Sequence, residues 1–359
     1  GQEKPRRGLG MSIMIGGMIG CGLLSVAGVV MVMVLSNLLS ETISTPIPDP
    51  TRTPTESITD DPTTTPVFVD ATPVERPTED SSTNNGGDLL PTPTFPPDFD
   101  AEAGMIVYFA MTEENHFAIF QLDLKSGEYI QLTNNDNNST YPLISPDGGK
   151  LVFQSDKDGD EDIYLMILAT GEINQLTQNT VTDHLPSWSP DGEWVIYSSD
   201  TREDGNLDIL RVPVSGGEAE TLYSDGQRNS HARASADGQR IVFSNGESGD
   251  ASTWEIMIYD LFTGETTQLT DNDSRDALPS FSHDDQDILY ATDGDGESAI
   301  AIMPAAGGSF SHVLYDGPGF ERGMHTSLDG AFIIFISQVG KSSVLYLMRS
   351  DGSDARLID

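Results

Sequence analysis

The sequence predicts an all-β fold: a six-bladed β-propeller of four-stranded blades whose first blade is incomplete, preceded by one transmembrane helix and a disordered Thr/Pro-rich linker. Three observations carry the propeller. A four-residue turn recurs as Ser145-Pro146-Asp147-Gly148 and Ser189-Pro190-Asp191-Gly192, with degenerate copies at Ser235-Ala236-Asp237-Gly238, Ser282-His283-Asp284-Asp285 and Ser327-Leu328-Asp329-Gly330. The copies are spaced by 44, 46, 47 and 45 residues, the period of a propeller blade. The apolar runs between turns have strand length, and the dense Gly, Asp and Pro punctuation argues against helix.

The repeat from Asp183 shows how one blade is built. Leu185–Ser189 is a first strand. Pro190-Asp191-Gly192 turns the chain, because proline presets φ, aspartate accepts local backbone hydrogen bonds and glycine tolerates positive φ. Trp194–Tyr197, Ile209–Val212 and Thr221–Tyr223 follow as second, third and outer strands. Second strands recur at Leu151–Phe153, Ile241–Phe243, Ile288–Tyr290 and Ile333–Phe335. Their continuous apolar character suits strands buried on both faces, as between adjacent blades. Three further strands precede the first turn, at Met105–Phe109, Phe117–Leu122 and Tyr129–Thr133, and make a blade that lacks its first strand. From Met105 to Asp359 there are 255 residues, about 42 per blade over six. Closure then falls to residues near Phe99–Gly104, or to packing between the first and last blades.

Upstream, composition divides the chain into residues 1–8, a short basic segment; 9–39, a membrane span; 40–100, a linker; and 101–359, the propeller. Leu9–Leu39 carries no charge and exceeds the roughly 20 residues that cross a bilayer. Lys4, Arg6 and Arg7 precede it and no basic residue follows until Arg52, which places the N-terminus in the cytoplasm and the propeller outside the cell membrane, as a single-pass protein. Met18-Ile19-Gly20-Cys21 loosely resembles a lipoprotein signal, yet Gly22–Leu39 stays apolar where such a chain turns polar. The linker is dense in Thr and Pro, as in Thr63-Thr64-Thr65-Pro66, and too poor in apolar residues to offset the entropy of folding. Repeated prolines make it an extended spacer. Residue 1 is glycine rather than methionine, as in a processed chain or a piece of a longer one.

The net charge of −39 repels phosphate backbones and argues against a nucleic-acid partner, while favouring divalent cations and basic partners. With Cys21 as the one cysteine, no intrachain disulfide forms.

The phrases "LPSWSPDGEWVIYSS" and "ISPDGGKLVFQSDKDGDEDIYLMIL" resemble the WD-like repeats of TolB-type β-propellers, a likeness that covers Met105–Asp359. Such propellers include periplasmic assembly proteins, domains attached to serine peptidases, sugar-acid lyases and sensor regions of bacterial membrane proteins, some of them serine/threonine kinases. The resemblance therefore implies the fold and leaves the activity open. No Gly-x-Ser-x-Gly nucleophile elbow is present.

Two groups of residues are candidates for chemistry. In Asp156-Lys157-Asp158-Gly159-Asp160-Glu161-Asp162, carboxylates at alternate positions suit a calcium ion, with Asp156, Asp158, Asp160 and Asp162 as ligands. Glu161 stands where an EF-hand loop needs glycine, and Asp and Gly in such loops also serve as turn formers. His184, His231 and His325 lie on or beside first strands, which line the central channel, and form a potential metal set; their offsets from the turn serine differ, at five, four and two. Arg233, Arg275 and Arg322 fall near the same strands. They would either present charge to an anionic ligand at the channel mouth or pair with carboxylates such as Asp276 and Glu321. The reading that follows is a membrane-anchored extracytoplasmic module that binds a protein or small-molecule ligand. The sensor region of a larger receptor, and a lyase or hydrolase working in the channel, are the alternatives.

Overall fold

A computed structural model describes residues 32–36 and 104–358, apart from 124–125, 135, 251–252, 294–297, 309–311, 318, 328–329 and 340–341. Six four-stranded antiparallel sheets account for it. Blade I holds β1 (Val32–Ser36), β2 (Gly104–Met111), β3 (Phe117–Asp123) and β4 (Tyr129–Gln131). Blade II holds β5 (Ser139–Ile144), β6 (Lys150–Ser155), β7 (Asp162–Ile167) and β8 (Glu172–Gln175). In blade III these are β9 (Asp183–Trp188), β10 (Trp194–Ser199), β11 (Asp208–Pro213) and β12 (Glu220–Tyr223). Blade IV runs through β13 (Arg228–Ala234), β14 (Arg240–Gly246), β15 (Glu255–Asp260) and β16 (Thr266–Gln268). Blade V is β17 (Asp276–Phe281), β18 (Asp287–Thr292), β19 (Ala299–Pro304) and β20 (His312–Tyr315), and blade VI is β21 (Phe320–Thr326), β22 (Phe332–Val339), β23 (Ser342–Arg349) and β24 (Arg356–Ile358). The predicted second strands all lie inside observed ones. No α-helix occurs among the described residues, and none there is long and apolar enough to cross a membrane.

The inner strands β5, β9, β13, β17 and β21 succeed one another around the axis, and β1 lies between β21 and β5 to close the ring. Closure thus differs from the expectation that residues near Phe99–Gly104 supply it. Val32–Ser36 pairs antiparallel with β2, Val32 opposite Tyr108 and Ser36 opposite Gly104. Without it the backbone edge of β2 would face the channel unpaired. This is also the described part of the predicted span Leu9–Leu39, and it is strand rather than helix; the remainder of that span and the linker 40–100 lie outside the described residues. Blades I, II and VI share one core cluster, to which Ile106, Phe109 and Ile119 belong together with Leu151, Phe153, Ile334, Ile336 and Leu347.

Alternation along the strands explains why the runs are apolar throughout. In β10, Val195 and Tyr197 face blade II, packing with Val152 and Ile163, while Ile196 faces blade IV, packing with Ile241 and Phe243. Each face of each central strand therefore meets a neighbouring sheet, and neither needs polar residues.

The predicted turn has a hydrogen-bond logic that repeats. The serine hydroxyl donates to the aspartate two residues on and accepts the N–H five residues on. The distances are 2.5 and 2.9 Å in blade III (Ser189 to Asp191, Trp194 to Ser189) and 2.6 and 3.0 Å in blade IV (Ser235 to Asp237, Arg240 to Ser235). The fourth residue of the turn takes positive φ, +70° at Gly192 and +58° at Asp285. Adjacent turns nest: Pro190 of one turn sits beneath Gly238 of the next. Blades IV and V break this pattern in a matched way. Ala236, unlike proline, keeps an N–H, and Asp285, unlike glycine, has a carboxylate to receive it; Asp285 accepts from Ala236 N at 2.9 Å and Asp237 N at 3.2 Å.

Outer strands end in a threonine clasp. Ile119 N, Ile163 N and Ile256 N each donate to a threonine hydroxyl (Thr133, Thr177, Thr270) at 2.9 Å, so the ladder continues through a side chain where the backbone turns away.

Inner strands begin with a buried polar residue six before the turn serine: Ser139, Asp183, Asn229, Asp276 and Glu321. Glu321 accepts from Ser337 Oγ at 3.0 Å, and burial, with Asp316 adding to it, pushes its carboxyl up to about 7.

Two outcomes are expected. Ala236→Pro removes the N–H that Asp285 accepts, and Asp285→Gly removes the acceptor while relieving the positive φ. The double variant restores the proline-over-glycine contact, so its loss of stability in urea falls short of the sum of the singles by about 0.5–1 kcal/mol. For Glu321 the folded pKa lies above the ordinary 4.5, so the folded state holds the proton more tightly between about 4.5 and about 7. Its stabilising contribution is full below that window and lost as pH rises through it. Melting temperature should fall across the window, and Glu321→Gln should flatten that part of the profile.

Candidate functional site

The geometry of the channel follows from one irregularity. Each inner strand of blades II to VI contains a bulge, and the residue four before the turn serine lies in the left-handed region: Tyr141 at φ +51°, Leu185 at +57°, His231 at +56°, Leu278 at +59° and Gly323 at +64°. Four of these five are not glycine, a backbone cost of about 1–3 kcal/mol each. Pairing to the preceding blade offsets part of it, as Leu185 N donates to Gln154 Oε1 at 2.9 Å and Leu278 N to Ser244 Oγ at 3.0 Å.

The bulge sorts the predicted channel residues into levels. Arg275 precedes β17, seven residues before its turn serine. Its guanidinium lies over the rings of Trp254 and Phe320, at 5.4 and 5.9 Å, and ties blade V to blades IV and VI. His184 and Arg322 stand at five before the serine, His231 at four, and Arg233 and His325 at two. At about 3.3 Å per residue, Arg275 is on the order of 15 Å along the axis from Arg233. The three histidines therefore do not form one metal set. His184 Nδ1 lies 3.5 Å from Glu161 Oε2 of the preceding blade, while His231 Nδ1 lies 3.1 Å from Ser230 Oγ. Burial, then the charges of Arg233, Arg275 and Arg228, hold the His231 pKa well below its ordinary value.

Arg233 and Arg275 do not pair with Asp276 or Glu321 among the described residues, and the Arg322 side chain lies outside them. Asp276 is held by Asn272 Nδ2 at 2.8 Å and Glu321 by Ser337. Among the described residues neither Arg233 nor Arg275 has a carboxylate oxygen within 4.0 Å, whereas Arg202 meets Asp208 at 2.9 Å. Arg322 pairs through its backbone with Ile336.

The acidic loop divides differently from its prediction. Asp158, Asp160 and Asp162 each bring an oxygen within 4.8 Å of the others, the one such group of three His, Cys, Asp or Glu among the described residues. Asp156 does not join them. Its two carboxylate oxygens accept Asn138 N and Asn138 Nδ2, both at 2.7 Å, and so fasten the entry to β5. Asp162 is fully buried, accepting from Thr177 Oγ1 at 2.7 Å, and burial pushes its carboxyl up to about 7. Asp158 accepts from Gln175 Nε2, whose hydrogen bond chiefly lowers its pKa, and from Tyr164 Oη. In the equivalent loop of blade III, Asp204 is a turn former that accepts Asn206 N at 3.0 Å.

A cavity of about 230 Å³ opens between the turns, lined among others by Leu143, Arg233, Ser280 and His325. Arg233 and His325 were foreseen as channel residues. The serine was not, although counting two back from each turn serine finds it.

A family model described as the TolB beta propeller domain matches residues 83–256. Comparison with curated proteins finds no match. TolB from Acinetobacter baumannii is 22% identical with a TM-score of 0.59, over 68% of this chain and 60% of that one, so the chain spans less than two thirds of its length. A putative TolB from Agrobacterium tumefaciens is 20% identical with a TM-score of 0.59, over 67% and 87%. The tricorn protease is 20% identical with a TM-score of 0.57, over 75% of this chain and 26% of that one. The sequence match and the six four-stranded sheets agree: this chain contains a TolB-like β-propeller.

Proposed function

We propose that this protein is a membrane-anchored extracytoplasmic binding module whose propeller receives a protein partner at the turn face of the channel. One observation carries the reading: Arg233 and His325 line the cavity of a TolB-like propeller, and among the described residues Arg233 has no carboxylate partner of the kind that so acidic a chain supplies to Arg202. The anchor rests on the uncharged run Leu9–Met31 upstream of β1, which still exceeds the roughly 20 residues a helix needs, and on the basic residues before it. Because β1 follows that run at Val32, the Thr/Pro-rich segment lies between β1 and β2 in sequence and does not separate the anchor from the propeller.

The same reading assigns calcium to Asp158, Asp160 and Asp162. Hard oxygen ligands suit that ion, and Asp160 Oδ2 is a buried oxygen with no hydrogen-bond partner among the described residues. Calcium added to chelator-treated protein should raise the melting temperature by a few degrees, magnesium less, and Asp160→Asn should remove the difference. Equal melting with and without calcium would count against the assignment.

For the partner, a cysteine at position 283, exposed beside the cavity, carries a membrane-impermeant photo-cross-linker on intact cells. Discrete protein adducts are expected there and none from a cysteine at Glu172 on the outer strand. No labelling before lysis, or the same adducts from both sites, would sink the proposal.

A further inference from the structure

Five residues occupy one level of the channel, two before each turn serine: Leu143, Ser187, Arg233, Ser280 and His325. Their equivalence is a matter of register, since each lies opposite the corresponding second-strand residue, Val152, Ile196, Val242, Leu289 and Ile334. Two of them leave a buried polar atom without a partner among the described residues, and a third carries a charge without a counter-charge. The Arg233 guanidinium donates to the Ala232 carbonyl at 3.2 Å and meets no carboxylate within 4.0 Å among the described residues. His325, 6% exposed, has an Nε2 with no partner there, and so does the hydroxyl of Ser187, 1% exposed.

Arg233 is partly buried, and a cation withdrawn from water without a counter-charge is costly. Here the chain carries 57 acidic residues against 18 basic ones, so the missing partner is not for want of carboxylates. Burial alone accounts for the lowering of the Arg233 pKa to about 10, and no acid opposes it; the group remains charged at neutral pH. His325 is held neutral, its pKa depressed to about 3 by burial and then by the charge of Arg233. The level therefore offers one permanent positive charge, a neutral imidazole and a hydroxyl.

We propose that this level is a binding site for a monocarboxylate. The Arg233 fork takes the two carboxylate oxygens, and His325 Nε2 supplies a flanking hydrogen bond. One guanidinium balances one negative charge, which favours a carboxylate over a phosphate dianion. The cavity, about 230 Å³, is below the roughly 300–1,000 Å³ of pockets for drug-sized ligands, so the stem that enters is short. Leu143, Trp188 and Phe281 give that stem apolar walls. The carboxylate is that of a small free acid or of the C-terminus of a partner chain. This inference deepens the binding-module reading and rests on it.

The full-length chain in detergent is titrated with propionate and, at equal ionic strength, with propanamide and inorganic phosphate, binding being followed by calorimetry. Propionate is expected to bind and propanamide and phosphate are not. Arg233→Gln should weaken propionate about tenfold or more, and Arg233→Lys, which keeps the charge and loses the fork, by less. Arg211→Gln, an exposed change on an outer-facing pair with Glu220, should leave the affinity unchanged. An N-acetylated tripeptide with a free C-terminus, compared with its carboxamide, identifies the source: tighter binding of the free acid than of propionate points to a chain terminus, weaker binding to a small acid. Propionate binding no better than propanamide in the wild-type chain overturns the proposal, whatever the variants do. Wild-type affinity in a folded Arg233→Gln overturns it as well. A failed titration leaves cross-linking from position 283 intact, and cross-linking that fails while propionate binds removes the protein partner but not the site.

Discussion

The hydroxyl of the turn serine holds each inner hairpin in register. It binds the aspartate ahead of it and the N–H that opens the second strand, so the first and second strands of blades II to V meet at one fixed offset. Register decides which side chains face which way, and a slip of one residue would reverse every face of the strand. In a propeller both faces of a blade are buried against neighbours, so such a slip would disturb three sheets at once. In blade VI, too, Phe332 N donates to Ser327 Oγ, at 3.0 Å.

From that offset the channel follows. The bulge adds one residue between the start of each inner strand and its turn, and the added residue takes the left-handed conformation even when it is tyrosine, leucine or histidine. Residues before the bulge look toward the interblade clamp, where Asp183, Asn229, Asp276 and Glu321 are buried. Those after it surround the cavity. Arginines that look equivalent along the chain thus end in different settings: Arg275 against the aromatic rings of two neighbouring blades, Arg233 beside a void. The first packs against those rings by cation–π attraction.

Local compensation preserves the ring where the repeat degenerates. The loss of proline at Ala236 coincides with the loss of glycine at Asp285, and the two substitutions meet in space as a donor and an acceptor. A contact between neighbouring turns survives with different chemistry. The loop acids show the converse: Asp156 and Asp158, two residues apart, serve a strand-entry clamp and a carboxylate trio respectively, because the chain bends between them.

Blade number, strand order and the faces of the strands were legible in the sequence alone, because turn chemistry and apolar runs are local properties repeated five times. The closing strand was not, since Val32–Ser36 is separated from β2 by a long linker and nothing local marks its pairing. The site was half legible: His231, Arg233 and His325 stand out by type, but their heights in the channel depend on a bulge that bears no consistent residue signature. That Arg233 meets no carboxylate among the described residues is decided by the tertiary structure only, because proximity across blades, and not proximity along the chain, settles which charges meet.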